Sequence, residues 1–308
     1  MLEQNLIKFY KVSPGGNTTI LLDTTQAKPE LRPVWSNIVM NPLHLGAEQV
    51  GFIDWPNELE TCNQSLPRLD MMGGEFCGNA CRSYAAVLAL ELGKPLPWRG
   101  KIATSGIETP VHCFVNAHQG QLDSAINVPL LNQISIEPFE GGALVRLPGI
   151  THILLPGNED HHLEMVEDLK KCALNWKRKL NLLNEPAVGC IWFDFNKQAA
   201  NMLPLVWVRS TNSYCLETAC GSGAIALALY LGIIIGQKNC ALPSANPNAK
   251  KEADIHSAPY SGCSNFYSIT QPSNEILWVA YNLSQNKMPE HVWLGGPCRI
   301  IARGETII

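Results

Sequence analysis

Two stretches of this chain, GGEFCGNACRSYAAVLALEL at Gly73–Leu92 and ETACGSGAIALALYLGIII at Glu217–Ile235, share one pattern. In each, an acidic residue precedes a Cys-Gly pair and a small polar residue, and an apolar segment of helix length follows. The apolar residues of both segments occur on every side of a helical period, which predicts helices that are buried all round. A sheet wound around each helix buries it in this way. We therefore expect two related halves, each with one central apolar helix.

The rest of the chain is rich in apolar and β-branched runs of strand length, separated by Pro, Gly and Asn. One more helix is predicted over Glu159–Leu180, where the spacing is amphipathic. This pattern favours an α+β fold over strict βαβ alternation. We expect an N-terminal domain over residues 1–125, completed by 296–308, and a C-terminal domain over 126–295. The polar stretch at about 237–271 is predicted to be a surface insertion.

Composition excludes several classes of function. The 308 residues carry 23 basic and 27 acidic side chains, a net charge of −4, which does not favour a nucleic-acid or anionic-membrane partner. The most apolar run, Ala224–Ile235, is shorter than the roughly 20 residues of a membrane-spanning helix. The first residues lack the pattern of a signal peptide. We expect a cytoplasmic protein whose 11 cysteines are scattered, mostly reduced and buried.

Cys77 and Cys220 stand where an extended segment turns into a predicted helix. The first N–H groups of a helix have no partner within it and carry partial positive charge, so they stabilise a thiolate and bind a carboxylate. Two such turns facing one α-carbon offer a thiolate that removes a proton and a thiol that returns one to the opposite face. The N–H groups stabilise the charge that the substrate carboxylate gathers. The predicted chemistry is inversion of an amino-acid α-carbon without pyridoxal phosphate, another cofactor or a metal.

Three other interpretations of these turns compete with acid–base chemistry. Both cysteines are structural in the first. In the second, the Gly-rich turn after Glu217 binds a nucleotide, but no apolar strand precedes it and no acidic residue follows at the required distance. The third is a zinc site, although its ligand spacing is unusual and apolar helix surrounds it. Its ligands are Cys77, Cys81, Cys215 and Cys220.

At this level of detail the sequence resembles the diaminopimelate epimerase family, which consists of cofactor-independent racemases and epimerases with two catalytic cysteines. The resemblance spans nearly the whole chain and is most specific at GGEFCGNACR and ETACGSGA. It implies two pseudo-symmetric domains, each a mixed β-barrel wrapped around a central apolar helix, with the active site in the cleft between them. It also implies Cys77 and Cys220 as catalytic residues. The substrate-binding residues that it implies are Asn17, Gly78, Asn79, Gly221 and Ser222.

Departures from the family's pattern concern the far end of the substrate. Three positions that carry Asn in diaminopimelate epimerases correspond to Arg68, Ile150 and Ala187, and a Glu-Arg pair corresponds to a stretch near Thr211–Asn212. A site that hydrogen-bonds a substrate group does not lose its partners without changing substrate. Within the superfamily the pattern is most similar to the histidine racemase branch, which supplies D-histidine to staphylopine-type metallophores.

Further residues are candidates for supporting roles. The resemblance implies that His152 tunes a cysteine or orients the substrate. Glu75 and Glu217 are expected to cap the helix starts or to bind the substrate ammonium. The side-chain pocket has three candidate residues, each with simple packing as the alternative: Arg68, Trp192 and Tyr214.

The expected substrate is histidine or another amino acid that is not diaminopimelate, and two alternatives to such a racemase stay open. One is an ordinary diaminopimelate epimerase, and the other is a catalytically silent amino-acid-binding protein on the same scaffold. In each case the expected partner is a small amino acid, with no nucleic acid and no membrane. A homodimer is the one oligomer that we consider.

Overall fold

The computed structural model describes residues 6–23, 29–56, 66–118, 120–129, 134–157, 166–195, 200–209, 211–236 and 258–308. The chain divides into two compact units. Unit 1 comprises Met1–Val128 and Gly295–Ile308, and unit 2 comprises Pro129–Leu294. Within the described ranges the chain forms sixteen strands, four α-helices and one 3-10 helix. The predicted α+β class is therefore confirmed.

Unit 1 is a closed, mixed barrel of eight strands. The strands follow the order β1-β2-β3-β4-β5-β6-β7-β16, and β16 pairs with β1 in antiparallel register to close the ring. Two pairs of neighbouring strands are parallel (β2 with β3, β4 with β5). The pairs β1 with β2, β3 with β4, β5 with β6 and β6 with β7 are antiparallel. Strand β16 is long, and its residues from Gly295 onward belong to this unit. The strands are β1 (Leu6–Ser13), β2 (Thr19–Asp23), β3 (Gln49–Asp54), β4 (Arg68–Met71), β5 (Trp98–Thr104), β6 (Val111–His118), β7 (Gln121–Asn127) and β16 (Pro289–Ile307).

Helix α2 (Gly78–Glu91) lies inside this barrel. It contacts strands all around the ring, namely β1, β2, β4, β5, β6 and β7, and its residues from Asn79 to Ala89 are buried. The small side chains of this helix, chiefly alanines, let the strands approach its axis closely. A shorter helix, α1 (Arg32–Met40), follows the 3-10 turn Pro29–Leu31. It packs its buried Trp35 and Val39 against the outer face of the barrel.

Unit 2 contains an eight-strand mixed sheet in the order β8-β9-β10-β11-β12-β14-β15-β16, with β13 paired to β12. The 3.6-residue pattern of helix α3 (Val166–Lys179) places its apolar side against the sheet, and its charged side faces solvent. The strands are β8 (Ser135–Phe139), β9 (Gly142–Leu147), β10 (Ile150–Pro156), β11 (Ala187–Phe195), β12 (Ala200–Val208), β13 (Ser213–Leu216), β14 (Asn265–Thr270) and β15 (Ile276–Leu283).

Helix α4 (Gly221–Ile233) packs on the other face of that sheet, against β9, β10, β14 and β15. Its residues are buried on all sides from Gly223 to Leu231. The contact with β15 is close, because the hydroxyl of Tyr281 donates a hydrogen bond to the Ala228 carbonyl at 3.2 Å. The all-round burial that the sequence predicts for the helices after Cys77 and Cys220 is confirmed.

One predicted segment is partly wrong. The sequence predicts an insertion over about 237–271, of which residues 237–257 lie outside the described residues. Asn265–Thr270, however, is strand β14, which pairs with β12 and β15 and buries Tyr267 and Ile269. Pairing with neighbouring strands overrides the polar composition of this stretch.

Among the described helices, none combines the length and the apolar character that crossing a membrane requires.

Candidate active site

Cys77 is the N-cap of α2, with φ −129° and ψ 110°. Its sulfur accepts a hydrogen bond from the Ala80 N–H at 3.5 Å, which satisfies one of the unpaired donors at the helix start. Gly78 and Asn79 are the first two residues of the helix. The Cys77 side chain is half-buried. The helix therefore begins at the residue that the sequence predicts, with the thiol at its positive end.

A chain of polar side chains leads away from the Cys77 sulfur. The thiol donates to Gln49 Oε1 at 3.1 Å, and Gln49 Nε2 donates to Asn17 Oδ1 at 2.5 Å and to Thr19 Oγ1 at 2.7 Å. Asn17 Nδ2 in turn donates to Glu48 Oε2 at 3.2 Å. The structure thus brings the predicted Asn17 into the hydrogen-bond network of Cys77. Sequence reasoning missed Gln49 and Glu48, which no local motif marks.

Asn79 is held by a buried arginine one turn further along α2. Arg82 Nη1 donates to Asn79 Oδ1 at 3.2 Å, and its other nitrogens donate to the carbonyls of Ser124 at 2.7 Å and Pro297 at 3.0 Å. Arg82 is fully buried. Because its three acceptors lie on α2, β7 and β16, this side chain fixes the helix start within the barrel of unit 1. Sequence reasoning missed this residue as well.

Cys220 is the N-cap of α4, with φ −120° and ψ 107°, and it is only 4% exposed. Its backbone N–H donates to Gln271 Oε1 at 3.0 Å. Burial raises the pKa of the Cys220 thiol well above its usual value, and the charge and hydrogen bond of Glu217 raise this pKa further. A hydrogen bond with Ser222 opposes the shift. In the ligand-free protein Cys220 is therefore a thiol.

His152 reaches the surroundings of Cys220 through Ser222. The imidazole Nε2 lies 3.0 Å from Ser222 Oγ, which lies 3.5 Å from Cys220 Sγ. His152 is fully buried, and burial lowers its pKa to about 3, so the ring is neutral. The ring fits only because residue 189 is glycine: a Cβ there would lie 2.2 Å from His152 Nδ1. The predicted His152 and Ser222 are thus joined to Cys220 within unit 2.

The Nδ1 atom of His152 is buried and has no hydrogen-bond partner among the described residues. An unpaired N–H costs more in an apolar setting than an unpaired lone pair, which favours the proton on Nε2. The imidazole then donates to Ser222 Oγ, and the serine hydroxyl is left to donate to the sulfur of Cys220. This arrangement stabilises a thiolate at Cys220 when one forms.

The N-cap positions of the two helices are held by Cys77 and Cys220, and capping by the Glu75 and Glu217 side chains stays a prediction. The Cys77 side chain accepts a hydrogen bond from the first turn of α2, whereas the Cys220 side chain forms no capping hydrogen bond at α4. The Glu75 carboxylate folds back over Gly73, where an added Cβ would lie 2.5 Å from its Oε2. The Glu217 carboxylate instead contacts the Cys220 thiol. A role in binding the substrate ammonium stays a prediction for both.

Two of the three candidates for the side-chain pocket pack elsewhere. Residues of β11 alternate between the two faces of the sheet. Ile191 faces α4, whereas Trp192 belongs to the apolar cluster that packs against α3, with Tyr214 at its edge. The prediction that Trp192 and Tyr214 line the pocket is therefore wrong. Arg68 forms an ion pair with Asp70 at 2.7 Å, and its role stays a prediction.

The part of the chain that the structure describes contains no candidate metal centre. There, no three His, Cys, Asp or Glu side chains form a group that could hold a metal ion. The cysteines of the described residues are all free thiols. The arrangement at each helix start offers a thiol, backbone N–H donors and polar side chains, which suit proton transfer at the α-carbon of a small carboxylate.

Solved structures show which proteins share this fold. The fold is similar to that of a PhzF-family phenazine biosynthesis protein from Bacillus anthracis, with a TM-score of 0.63 and 10% identity over 100% of both chains. It is also similar to a hydroxyproline epimerase from Agrobacterium vitis, with a TM-score of 0.60 and 11% identity over 100% of this chain and 94% of the other. The fold is thus one shared with isomerases.

Sequence comparison identifies the family. The chain belongs to the family described as the histidine racemase CntK N-terminal domain, whose profile matches residues 6–252. It is 29% identical to a histidine racemase of Fusobacterium nucleatum subsp. nucleatum (strain ATCC 23726 / VPI 4351), over 98% of each chain. The resemblance predicted from the sequence is confirmed. The chain is an enzyme, an isomerase of the amino-acid racemase and epimerase kind.

Proposed function

We propose that the protein is a cofactor-independent racemase that inverts the α-carbon of histidine, with Cys77 and Cys220 as its two proton-transferring groups. The substrate is inferred from the family and from the relatives named histidine racemases. The proposal extends to a cytoplasmic enzyme whose D-histidine enters a staphylopine-type metallophore, which only the family resemblance supports.

One observation carries the two-cysteine mechanism. Each unit buries one apolar helix, and each of these helices has a Cys at the N-cap and a Gly as its first residue. The two N-caps have nearly the same backbone angles, φ −129° and ψ 110° at Cys77 against φ −120° and ψ 107° at Cys220. This match also supports the proposal that the two units are pseudo-symmetric halves of a diaminopimelate-epimerase-like fold.

The helix starts supply the groups that bind the substrate carboxylate. The first N–H groups of a helix point out of its end, and at these two helix starts they belong to Gly78, Asn79, Gly221 and Ser222. A carboxylate bound by these donors gathers negative charge as the α-proton leaves, and the donors stabilise that charge. In this proposal Asn17 adds a further polar contact to the substrate.

The proton transfers balance without a cofactor. In one direction the Cα–H bond breaks, its proton passes to the thiolate of one cysteine, and the carbanion takes a proton from the thiol of the other on the opposite face. The reverse direction exchanges the roles, and the thiols re-equilibrate with solvent between turnovers. Because the pKa of Cys220 is raised, its thiolate is scarce at neutral pH, and the hydroxyl of Ser222 supports it when it forms.

Proton NMR in D₂O tests the reaction and the substrate together. The purified enzyme is incubated without pyridoxal phosphate with a panel of L-amino acids and LL-diaminopimelate, and loss of the α-proton signal is followed. Exchange with L-histidine and not with diaminopimelate is the expected result. Exchange with diaminopimelate alone would overturn the substrate. No exchange with any compound, in folded protein with reduced thiols, would favour the silent binding protein.

A further inference from the structure

The hydrogen bonds between Glu48 and Cys77 have a fixed direction, and that direction starts at the carboxylate. An ionised carboxylate accepts hydrogen bonds and donates none. Since Glu48 Oε2 lies 3.2 Å from the Asn17 amide, this end of the amide must be its NH₂ group. The Asn17 oxygen therefore points the other way, toward Gln49. Glu48 thus decides which end of Asn17 faces the next residue.

The orientation of Asn17 in turn fixes the orientation of Gln49 beside Cys77. The Asn17 oxygen can only accept, so the group of Gln49 that lies 2.5 Å from it is the NH₂ group. Thr19 Oγ1, at 2.7 Å, takes the second hydrogen of that group. Gln49 must then present its oxygen to the sulfur of Cys77 at 3.1 Å. An amide oxygen cannot donate, so the sulfur donates, and a sulfur that donates is a thiol.

We infer that Glu48, Asn17 and Gln49 form a directional hydrogen-bond chain that keeps Cys77 protonated in the ligand-free enzyme. Glu48 and Gln49 are then positioning residues. They act through Cys77 and keep a proton on its sulfur that can be transferred to the substrate α-carbon. The inference rests on the proposed function for its catalytic meaning, but the protonation state of Cys77 is a property of the free protein. It can be measured without any turnover.

The hydrogen-bond chain opposes the effect of the start of α2 on the ionisation of the Cys77 sulfur. The N–H of Ala80 and the N-terminus of α2 favour a thiolate, whereas the Gln49 oxygen favours a thiol. Breaking the chain should therefore release the helix effect. Cys77 should then ionise at lower pH, because the Gln49 amide is free to turn its NH₂ group toward the sulfur.

Alkylation of Cys77 as a function of pH tests the inference. Iodoacetamide reacts with the thiolate, and fragment ions from mass spectrometry of the peptide that holds Cys77 and the buried Cys81 assign the label to one of them. In Glu48→Gln the midpoint pH for alkylation of Cys77 should fall by about one unit, which is a tenfold gain in reactive thiolate at a given pH. Glu30→Gln is the matched control, because Glu30 is an exposed carboxylate of unit 1 outside the chain.

A second variant separates the effect of the hydrogen-bond direction from the effect of the Glu48 charge. Asn17→Leu keeps the Glu48 charge and removes both hydrogen bonds of the Asn17 amide, the one to Glu48 and the one from Gln49. The inference predicts that the midpoint falls in this variant as well. An unchanged midpoint in Asn17→Leu would overturn the directional chain, even if Glu48→Gln shifted it, because a charge effect alone would then suffice. Unchanged midpoints in both variants would overturn it too.

Folding is monitored in the same experiment. Cys113 and Cys298 are buried in unit 1 and should stay unreactive in every variant that folds. If Asn17→Leu exposes them, Gln49→Met takes its place, because it also removes the oriented amide. Failure of the proposed function would appear as absent α-proton exchange in the wild-type enzyme. That result leaves the alkylation midpoints unaffected, so the two failures are distinguishable.

Discussion

The two Cys-Gly helix starts have the same backbone and different surroundings. Cys77 is half-buried, and its thiol donates to an amide that leads to a carboxylate. Cys220 is buried, and its thiol lies beside Glu217 and beside a serine that contacts His152. A shared turn therefore places each thiol, while its own neighbours set its protonation: Gln49 of β3 for Cys77, and burial with Glu217 and Ser222 for Cys220. Two cysteines of equal geometry can in this way hold their protons with different strength.

The largest effect is expected from removing either thiol. Cys77→Ser and Cys220→Ser should each lower kcat for histidine racemisation by about 10²–10⁴-fold, because a serine hydroxyl is far too weak an acid to replace a thiol in general acid–base catalysis. Polarimetry of L-histidine measures the rate. Cys172→Ser, at a half-buried thiol on α3, should keep the wild-type rate. A near-normal rate in either active-site variant contradicts the two-cysteine mechanism.

A smaller loss should follow from displacing His152. In Gly189→Ala the added Cβ occupies the position of the imidazole, so the contact with Ser222 is lost. Loss of a hydrogen bond that supports a thiolate should lower kcat by about 10- to 100-fold, with KM less affected. Steady-state kinetics measure both constants. Gly262→Ala is the control, because its Cβ would meet open space. A wild-type kcat in Gly189→Ala would show that His152 has no part in the chemistry.

The pH dependence of the racemisation rate is expected to follow the ionisation of Cys220. The pKa of Cys220 is raised, so the active thiolate is present above that pKa and lost as pH falls through it. The racemisation rate should therefore rise toward alkaline pH. Glu217→Gln removes a charge that raises this pKa, and the rising limb should move to lower pH. Glu290→Gln, at an exposed carboxylate of unit 2, should leave the limb in place. A profile unmoved by Glu217→Gln would contradict the assignment of this limb to Cys220.

The smallest effect concerns stability rather than rate. Gln271 is 2% exposed, and its side chain accepts the Cys220 N–H. Gln271→Leu leaves that buried donor unpaired and should lower the free energy of unfolding by about 1–3 kcal/mol. Urea denaturation measures the change. Gln121→Leu, at an exposed position, should be close to neutral. Equal unfolding curves for Gln271→Leu and the wild type would mean that another group takes over this hydrogen bond.

Local features of the site were predictable from the sequence, and long-range ones were not. The starts of α2 and α4 follow from a Cys-Gly turn before an apolar run, so Gly78 and Gly221 were placed correctly. Gln49 reaches Cys77 from a residue at the start of β3, and Gln271 reaches Cys220 from the end of β14. These contacts depend on how the strands pair, which no local period reveals.

The error at β14 has the same origin. Its sequence, NFYSIT, is too polar and too short to predict a buried strand, and composition alone predicts that it belongs to an insertion. Antiparallel pairing with β15 along the whole of Asn265–Thr270 makes it a strand of unit 2. Trp192 was misplaced for a related reason, since the sequence does not show which face of β11 meets α4.

The deuterium content of each histidine isomer after partial turnover in D₂O tests the two-cysteine mechanism most directly. L-histidine is racemised to a few per cent conversion, and both isomers are separated and analysed by mass spectrometry. With one cysteine on each face of the α-carbon, the D-histidine product should carry deuterium at the α-carbon while the remaining L-histidine keeps its proton. Deuterium in the recovered L-histidine at the rate of product formation, or a retained proton in D-histidine, would contradict the two-cysteine mechanism.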